Sequence, residues 1–317
     1  MTRLSVIIVS YKVRDLVMDC LRSVFAAGTS VQLEVFVVDN ASNDGTVERV
    51  QHEFPSVRVI ANSQNLGFPL ANNQALAESS ADVVLLLNPD TIVHEGALLE
   101  LVQFFKRQTA GVVAGLNVRN ADGTHQDCIH ALPNFRSLVF SVLRIDRMFA
   151  SSPFFNAYAY AGVDLPEVQQ VGYVTGAALA LNRMALEQLG GLDANLFWYE
   201  DIDICCRAWK LGFPVYFLPK ARVTHFSGQS RKRNIRRVLY HQHVSRVQYF
   251  RKHYDPVTAW LVTALTVVEL SAKTFVRSVQ SLGASRRSEC RLRLAGYLDA
   301  LGCIVAARTR YQIISNP

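Results

Sequence analysis

Apolar and polar positions alternate along this chain in long blocks rather than residue by residue. Leu4–Ser10 is an unbroken apolar, β-branched run that ends in Ser10-Tyr11, and it predicts a strand buried on both faces. Val13–Ala27 then places Leu16, Val17, Cys20, Leu21, Val24 and Phe25 on one helical face. Leu33–Val38 predicts a second buried strand, closed by the turn cluster Asp39-Asn-Ala-Ser-Asn-Asp-Gly45. The same grammar continues with a helix over Thr46–Phe54, a strand over Val57–Ala61, a helix over Pro69–Glu78 and a strand over Asp82–Leu87 that stops at Asn88-Pro-Asp90. Beyond it, the pattern predicts a helix over Ala97–Lys106 and a strand over Gly111–Asn117. Strands alternating with helices imply a mostly parallel sheet covered on both faces. Chemistry in such a sheet belongs at the carboxyl ends of its strands, where every polar cluster named so far sits.

The pattern blurs over residues 120–170, which are rich in aromatics and proline and read as a loop-rich insertion. It resumes with a strand over Val171–Leu181, a short helix over Met184–Leu189, a helix over Asp201–Lys210 and a strand over Val215–Leu218. After residue 229 the character changes. Arg231-Lys-Arg233, Arg236 and Arg237 form a basic cluster. Val257–Val268 is uncharged but shorter than the roughly 20 residues that cross a bilayer. Extended to Leu282 the run is amphipathic: Leu261, Leu265, Val268, Ala272, Phe275, Val279 and Leu282 share one face, and Thr266, Glu269, Lys273, Arg277 and Gln280 the other. Arg286, Arg287, Arg291 and Arg293 lead into a last apolar helix near Leu294–Ala307. Basic amphipathic helices of this kind suit a membrane interface; packing on the main domain or on another subunit is the alternative. The expected division is a catalytic domain over residues 1–228 and a helical region over 229–317.

Composition sharpens this picture. Half of the 317 residues are hydrophobic and 19% are charged, enough for a large core and contrary to wholesale disorder. The net charge of +7 is uneven. From Phe226 onward there are 16 Lys and Arg against 4 Asp and Glu, whereas the preceding residues hold 17 against 22. A mildly acidic body with a basic tail points the tail at something anionic. The tail carries no nucleic-acid recognition motif, which leaves an anionic membrane surface as the expected partner and nucleic acid as none. Six cysteines without a CxxC pair fit a reducing compartment rather than a disulfide framework or zinc site. The opening apolar run is too short for a secretory signal. No G-x-G-x-x-G follows the first strand, and no P-loop occurs.

The candidate chemistry lies in three polar clusters. Asp39, at the end of a buried strand, can accept the imide N–H of a uracil or thymine ring, or it shapes the turn behind it. Asp90 can offer a hard cation the carboxylate oxygen that metal–diphosphate sites use, or it caps the following helix. Asn88 can add only a neutral oxygen or a hydrogen bond. Glu200, Asp201 and Asp203 sit behind Phe197, Trp198 and Tyr199. Acidic residues suit a first helical turn, but three exceed what the helix dipole needs, and a carboxylate beside an acceptor hydroxyl is a competent general base. His225, after a strand, is a structural residue or a metal ligand.

Taken together, these segments resemble the inverting family 2 glycosyltransferases with the GT-A fold. The carriers are Val-Ile-Ile-Val-Ser-Tyr11, Val-Val-Asp-Asn-Ala-Ser-Asn-Asp-Gly-Thr46, Asn-Leu-Gly-Phe68 with Asn72-Asn73, Leu-Leu-Asn-Pro-Asp-Thr91, Gly176-Ala177-Ala178, and Gly-Gly-Leu-Asp193 leading to Glu-Asp-Ile-Asp203. Within the family the chain looks most like rhamnosyltransferase-type enzymes of cell-envelope polysaccharide assembly. The resemblance implies that Ser10, Tyr11 and Asp39 contact the nucleoside, with Asp39 on the base, and that Asn65, Gly67, Asn72 and Asn88 line the nucleotide pocket. It implies Asp90, at the last position of the D-x-D motif, and His225 as ligands of Mg²⁺ or Mn²⁺. It implies Asp201 as the general base; beside it, Glu200 and Asp203 are expected to orient the base or grip acceptor hydroxyls, and Trp198 and Tyr199 to stack on an acceptor sugar or to pack in the core. Two departures stand out: Asn88 replaces the first aspartate of D-x-D, and Lys12 stands where an asparagine is common. The implied donor is a nucleotide diphosphate sugar, first dTDP-rhamnose and then a UDP-sugar; a non-catalytic sugar-nucleotide-binding subunit is the other reading. The implied acceptor is a saccharide or lipid-linked saccharide, used by a cytoplasmic enzyme peripheral on the inner face of the cell membrane. The C-terminal helices offer a surface for a homo-oligomer.

Overall fold

The computed structural model describes residues 2–152, 154–156, 158, 165–226, 234–281 and 287–306. The cluster Arg231-Lys232-Arg233, Leu282 and Arg286 lie outside the described residues, as does the side chain of Arg287. The chain divides into two compact units. The first comprises Met1–Leu132, Ala159–Asp193 and Glu200–Ser227, and the second Pro133–Tyr158, Ala194–Tyr199 and Gly228–Pro317. The division is therefore not a single cut near residue 228.

The first unit runs β1 (Arg3–Ser10), α1 (Arg14–Ala27), β2 (Gln32–Asp39), α2 (Thr46–Glu53), β3 (Arg58–Ala61), α3 (Phe68–Glu78), β4 (Val83–Leu87), β5 (Thr91–Val93), α4 (Ala97–Lys106), β6 (Val113–Arg119) and β7 (Ile129–His130). Two short helices of the second unit follow, α5 (Phe135–Val142) and α6 (Ile145–Met148). The first unit resumes with β8 (Gln169–Gln170), β9 (Tyr173–Val174), β10 (Ala178–Asn182), α7 (Arg183–Leu189), α8 (Glu200–Lys210) and β11 (Val215–His225). Its main sheet has the order β3-β2-β1-β4-β10-β6-β11-β5, with β8 on β11. The expected parallel pairing joins β3, β2, β1 and β4, and again β6 and β11. Between these blocks β10 runs antiparallel to both β4 and β6.

Leu4, Ile7, Ile8, Val37, Leu85 and Leu86 are buried, as strands covered on both faces require. Each such side chain contributes roughly 1.5–3 kcal/mol of transfer free energy. The register sets Ser10 beside Asp39 and Ile8 beside Leu87, so β1, β2 and β4 end at nearly one level. Their polar endings gather there.

Three expectations change. Val171–Leu181 is not one strand: it breaks at Thr175–Ala177 into β9 and β10, whose partners are different sheets. The close approach of β6 requires a glycine there, because a Cβ on Gly115 would stand 2.4 Å from Cβ of Val174. The predicted strand Val215–Leu218 continues to His225, crossing a register shift between Leu218 and Arg222 at Pro219. The unpredicted three-residue β5 pairs with this extension.

In the second unit, α9 (Ile235–His253), α10 (Pro256–Gln280) and α11 (Arg287–Val305) share a core of Leu239, Tyr240, Val244, Val247, Leu270, Tyr297, Ala300 and Ile304. Asp255 caps α10, accepting the N–H groups of Val257 and Thr258 at 3.1 and 3.0 Å, with Pro256 at the first helical position. Helix α10 buries Ala259, Val262, Thr266 and Leu270, and it leaves the equally apolar Val257, Trp260, Val268 and Phe275 exposed. Glu269, on the polar side, binds Arg246 of α9 at 2.5 Å and also Lys273.

Candidate active site

Strand endings supply the first group of residues. Ser10 closes β1, its register partner Asp39 closes β2, and both are buried. Oδ2 of Asp39 accepts the N–H of Ser42 at 2.9 Å, whereas its Oδ1 meets no hydrogen-bond donor among the described residues. Oγ of Ser10 and Oδ1 of Asn72 are likewise buried without a partner among the described residues. Asn72 lies on α3, where its Nδ2 donates to the Phe68 carbonyl at 2.8 Å. A buried polar atom left unsatisfied costs about 1–3 kcal/mol, so three such oxygens on the expected nucleotide residues mark places for ligand donors.

The remaining expected nucleotide residues are placed differently. Oδ1 of Asn65 accepts the N–H of Gly67 at 2.9 Å, and Asn40 donates to the Gly67 carbonyl at 3.3 Å. Gly67 has φ of +81°, which explains the glycine at this turn. Asn65 thus shapes the approach to α3. Tyr11 is half-buried, with Nζ of Lys12 5.3 Å from its ring centroid, and the Lys12 N–H is held by Oγ of Ser42 at 2.9 Å.

The turn after β4 carries Asn88 and Asp90, and β5–β11 pairing delivers His225 to it. His225 stands opposite Thr91, and the N–H of Phe226 donates to the Asp90 carbonyl at 2.9 Å. Nε2 of His225 is 3.1 Å from Oδ1 of Asp90 and 3.3 Å from Nδ2 of Asn88. Its Nδ1 is 2.6 Å from Oε1 of Gln126, whose Nε2 donates to Oδ1 of Asn120 at 2.8 Å. That network assigns the acceptor end of Gln126 to the ring, so Nδ1 carries a proton. With a neutral ring, Nε2 and the Asp90 carboxylate both present lone pairs to one point, an arrangement that a shared cation satisfies. One carboxylate and one imidazole suit Mn²⁺ or Mg²⁺ only if further oxygens join them. Among the described residues no group of three or more His, Cys, Asp or Glu could hold a metal alone. The residues present therefore fit a cation shared with diphosphate oxygens. Gln126 was not legible beforehand, since it lies in the aperiodic insertion, 99 residues before the ring it orients.

The third group opens α8. Oδ2 of Asp201 accepts the Gly176 N–H at 2.9 Å and Oδ1 accepts that of Ile202 at 2.8 Å. Burial pushes the Asp201 carboxyl up to about 6, and the N–H groups of Gly176 and Ile202 hold it back from rising further. Some solvent exposure remains at Asp201, as at Glu200. Next to Gly176, the Ala177 carbonyl accepts the N–H of Asn88 at 2.9 Å. Two successive residues at the head of β10 thus tie the Asn88-Pro-Asp90 turn to Asp201.

Asp203 departs from the acceptor role expected of it. It is fully buried, and Nε of Arg207 donates to its Oδ2 at 2.8 Å. Arg207 also donates to the carbonyls of Leu189 and Gly191 at 2.5 and 2.7 Å. Asp203 therefore fastens α8 to the turn after α7, and the Asp203–Arg207 spacing of four was its signal. Trp198 and Tyr199 belong to the second unit: Trp198 is 37% exposed with φ of +79°, and the Tyr199 ring packs 5.6 Å from that of Tyr249.

Comparison with known proteins bears on this geometry. Residues 5–189 match the family model for glycosyl transferase family 2. An N-acetylglucosaminyl-diphospho-decaprenol L-rhamnosyltransferase of Mycobacterium tuberculosis is 28% identical over 219 residues, covering 65% of this chain and 70% of that one. A pre-mycofactocin glycosyltransferase of the same organism is 26% identical over 198 residues, covering 61% and 37%. Among solved structures, a mannosyltransferase from Pyrobaculum calidifontis in complex with GDP-Man and Mn²⁺ superposes with a TM-score of 0.57 at 17% identity, over 97% of this chain and 88% of that one. GalNAc-T7 with UDP, GalNAc and Mn²⁺ gives 0.54 at 16% identity, over 97% and 56%. With the mixed sheet, the acidic turn after β4 and the match over more than half its length, the chain belongs to glycosyl transferase family 2, enzymes of GT-A fold that move a sugar from a nucleotide-sugar donor.

Proposed function

We propose that the protein is an inverting, metal-dependent rhamnosyltransferase that moves L-rhamnose from dTDP-rhamnose to a lipid-linked saccharide in cell-envelope polysaccharide assembly. The observation that carries the reaction type is Asp201, a carboxyl raised to about 6 and steadied by two backbone N–H groups. A base of that strength is ionised at neutral pH and still basic enough to take a proton from a hydroxyl in the transition state.

The reaction is a single displacement. Asp201 takes the proton of an acceptor hydroxyl as that oxygen bonds to the anomeric carbon. The bond from carbon to the diphosphate oxygen breaks on the opposite face, the carbon inverts, and the nucleoside diphosphate leaves. Asp90 and His225 would hold Mn²⁺ or Mg²⁺, which supplies charge neutralisation to the leaving diphosphate when bound. Gln126 keeps the His225 ring oriented for that contact. Glu200 adjoins the base.

Base recognition rests on Asp39. Its Oδ2 is occupied by Ser42, which leaves Oδ1 to accept one N–H. A thymine or uracil ring presents one imide N–H, whereas guanine presents two adjacent donors. Thymidine and uridine donors therefore suit the site, and the similarity to a rhamnosyltransferase favours the first. A UDP-sugar is the second reading, supported by the same carboxylate. The lipid-linked acceptor places the reaction on the cytoplasmic face of the cell membrane.

Thermal stabilisation and turnover with dTDP-rhamnose, UDP-glucose and GDP-mannose, each with Mn²⁺, test the proposal. The expected order puts dTDP-rhamnose first, stabilising beyond dTDP alone. A preference for the guanosine donor would overturn the base assignment.

A further inference from the structure

Helix α10 carries apolar residues on its outward side as well as on its inward one. At 100° per residue, Val257, Leu261, Val268, Phe275 and Val279 fall within one narrow stripe, and Trp260 and Val276 flank it. Every one of these seven is exposed, Val257, Trp260, Val268 and Phe275 at 66–70%. The opposite face is the one that packs inward. It carries Ala259, Val262, Thr266 and Leu270, all buried, and Glu269, clasped by Arg246 and Lys273. A surface helix of a globular protein turns a polar face outward, and a continuous apolar stripe there marks an interaction surface.

We propose that this stripe lies in the headgroup–acyl boundary of an anionic bilayer, with α10 parallel to the membrane plane. Length and composition alone would also let Pro256–Gln280 cross a bilayer. The ion pairs on its inner face decide against that. Crossing would strip Glu269 from Arg246, a buried pair whose separation costs several kcal/mol. Held along α9, the helix can offer only one side. Trp260 sits near one end of the stripe, the position that indole rings take at an interface. Charge selects lipid over a second copy of the chain. From Phe226 onward the chain bears 16 basic and 4 acidic residues. Of the four acids, Asp255 caps α10, and Glu269, Glu289 and Asp299 are each paired to an arginine. Arg251 and Lys252 stand exposed just before the stripe. Two such surfaces face to face would repel, whereas an anionic leaflet attracts them. The inference shares with the proposed function only the idea of a membrane-bound acceptor, and the surface argument stands without it.

Co-sedimentation of the full chain with phosphatidylcholine vesicles, with and without 30% phosphatidylglycerol, tests it. Binding is expected only to the anionic vesicles, weakening as salt rises. A Val268→Glu/Phe275→Glu variant should lose at least tenfold in partitioning while keeping its thermal melt and its turnover of a water-soluble acceptor. Val268→Ser/Phe275→Ser serves as the milder pair should the glutamates impair folding. The difference in fluorescence between the parent and Trp260→Phe should shift to the blue on vesicle addition. Unchanged partitioning in both double variants would overturn the proposal, as would light scattering that shows a parental dimer which the variants convert to monomer. Vesicle binding reads the surface whatever sugar is transferred, so failure of the donor assignment and failure of this inference are distinguishable.

Discussion

The N–H of Gly176 donates to Oδ2 of Asp201 across 2.9 Å. The bond joins the head of β10 to the first turn of α8, and the neighbouring Ala177 carbonyl holds the N–H of Asn88. The Asn88-Pro-Asp90 turn and the Asp201 carboxylate thereby hang on two consecutive peptides. A backbone donor cannot swing away as a side chain does, which fixes the direction of that carboxylate.

Asp201→Asn should lower kcat by about 10²–10⁴, the usual worth of a general base, with nucleotide-sugar affinity by calorimetry little changed. Full activity in this variant would remove Asp201 from the chemistry.

The pH profile follows from the same residue. Asp201 is protonated below about pH 6 and ionised above it, so kcat/KM should fall on the acid side with a midpoint near 6. Steady-state rates between pH 4.5 and 8 read this limb, and a midpoint near 4 would contradict the burial that raises the group.

Asp39→Asn exchanges one carboxylate oxygen for an amide. If the amide oxygen keeps the Ser42 N–H, its NH₂ then confronts the imide N–H of thymine. Affinity for dTDP or UDP should drop about tenfold or more, while CDP, whose ring nitrogen accepts, should gain relative to them. Competition binding of the three diphosphates checks the reversal.

Gln126→Ala should leave the fold intact and loosen the His225 ring. The Mn²⁺ concentration for half-maximal donor binding should rise by about 10–100-fold, the usual cost of losing a partner that orients a metal-binding histidine. An unchanged Mn²⁺ titration would show that Gln126 orients nothing.

Glu269 reports on the helical unit. Burial raises its carboxyl, but Arg246 and Lys273 outweigh that and hold it near 2. Since the folded value lies below the ordinary one near 4.5, the stabilisation is whole above about pH 4.5 and fades as pH falls toward 2. Glu269→Gln leaves Arg246 buried without a counter-charge and should cost about 3–5 kcal/mol at pH 7. Hydrogen exchange in α9 and α10 should show the loss, and show less of it at pH 3.

Much of this molecule was legible from the order of residues. Strands buried on both faces must be apolar throughout, so β1, β2 and β4 announced themselves, and the polar residues that ended them marked the candidate edge. Asp39 and Asp90 could be nominated for the same reason, and Asp201 because three carboxylates crowd one helix start. Helix α9 could not be read, because its buried positions include His241, His243, Ser245 and Arg246, and polar side chains inside a helix erase its period. Those groups are tolerable only because distant partners meet them: Arg246 finds Glu269, and Ser245 donates to the Phe197 carbonyl at 2.7 Å. Periodicity likewise showed that α10 had two faces without saying which one looks outward. For β1, β2 and β4 the sequence determined where the strands stop and which chemistry stands at their ends, since those depend on local burial and turn formation. Tertiary structure alone decided that Gln126 orients His225 and which side of α10 packs against α9. Each of these depends on a partner that folding brings from far along the chain, and no local pattern carries that information.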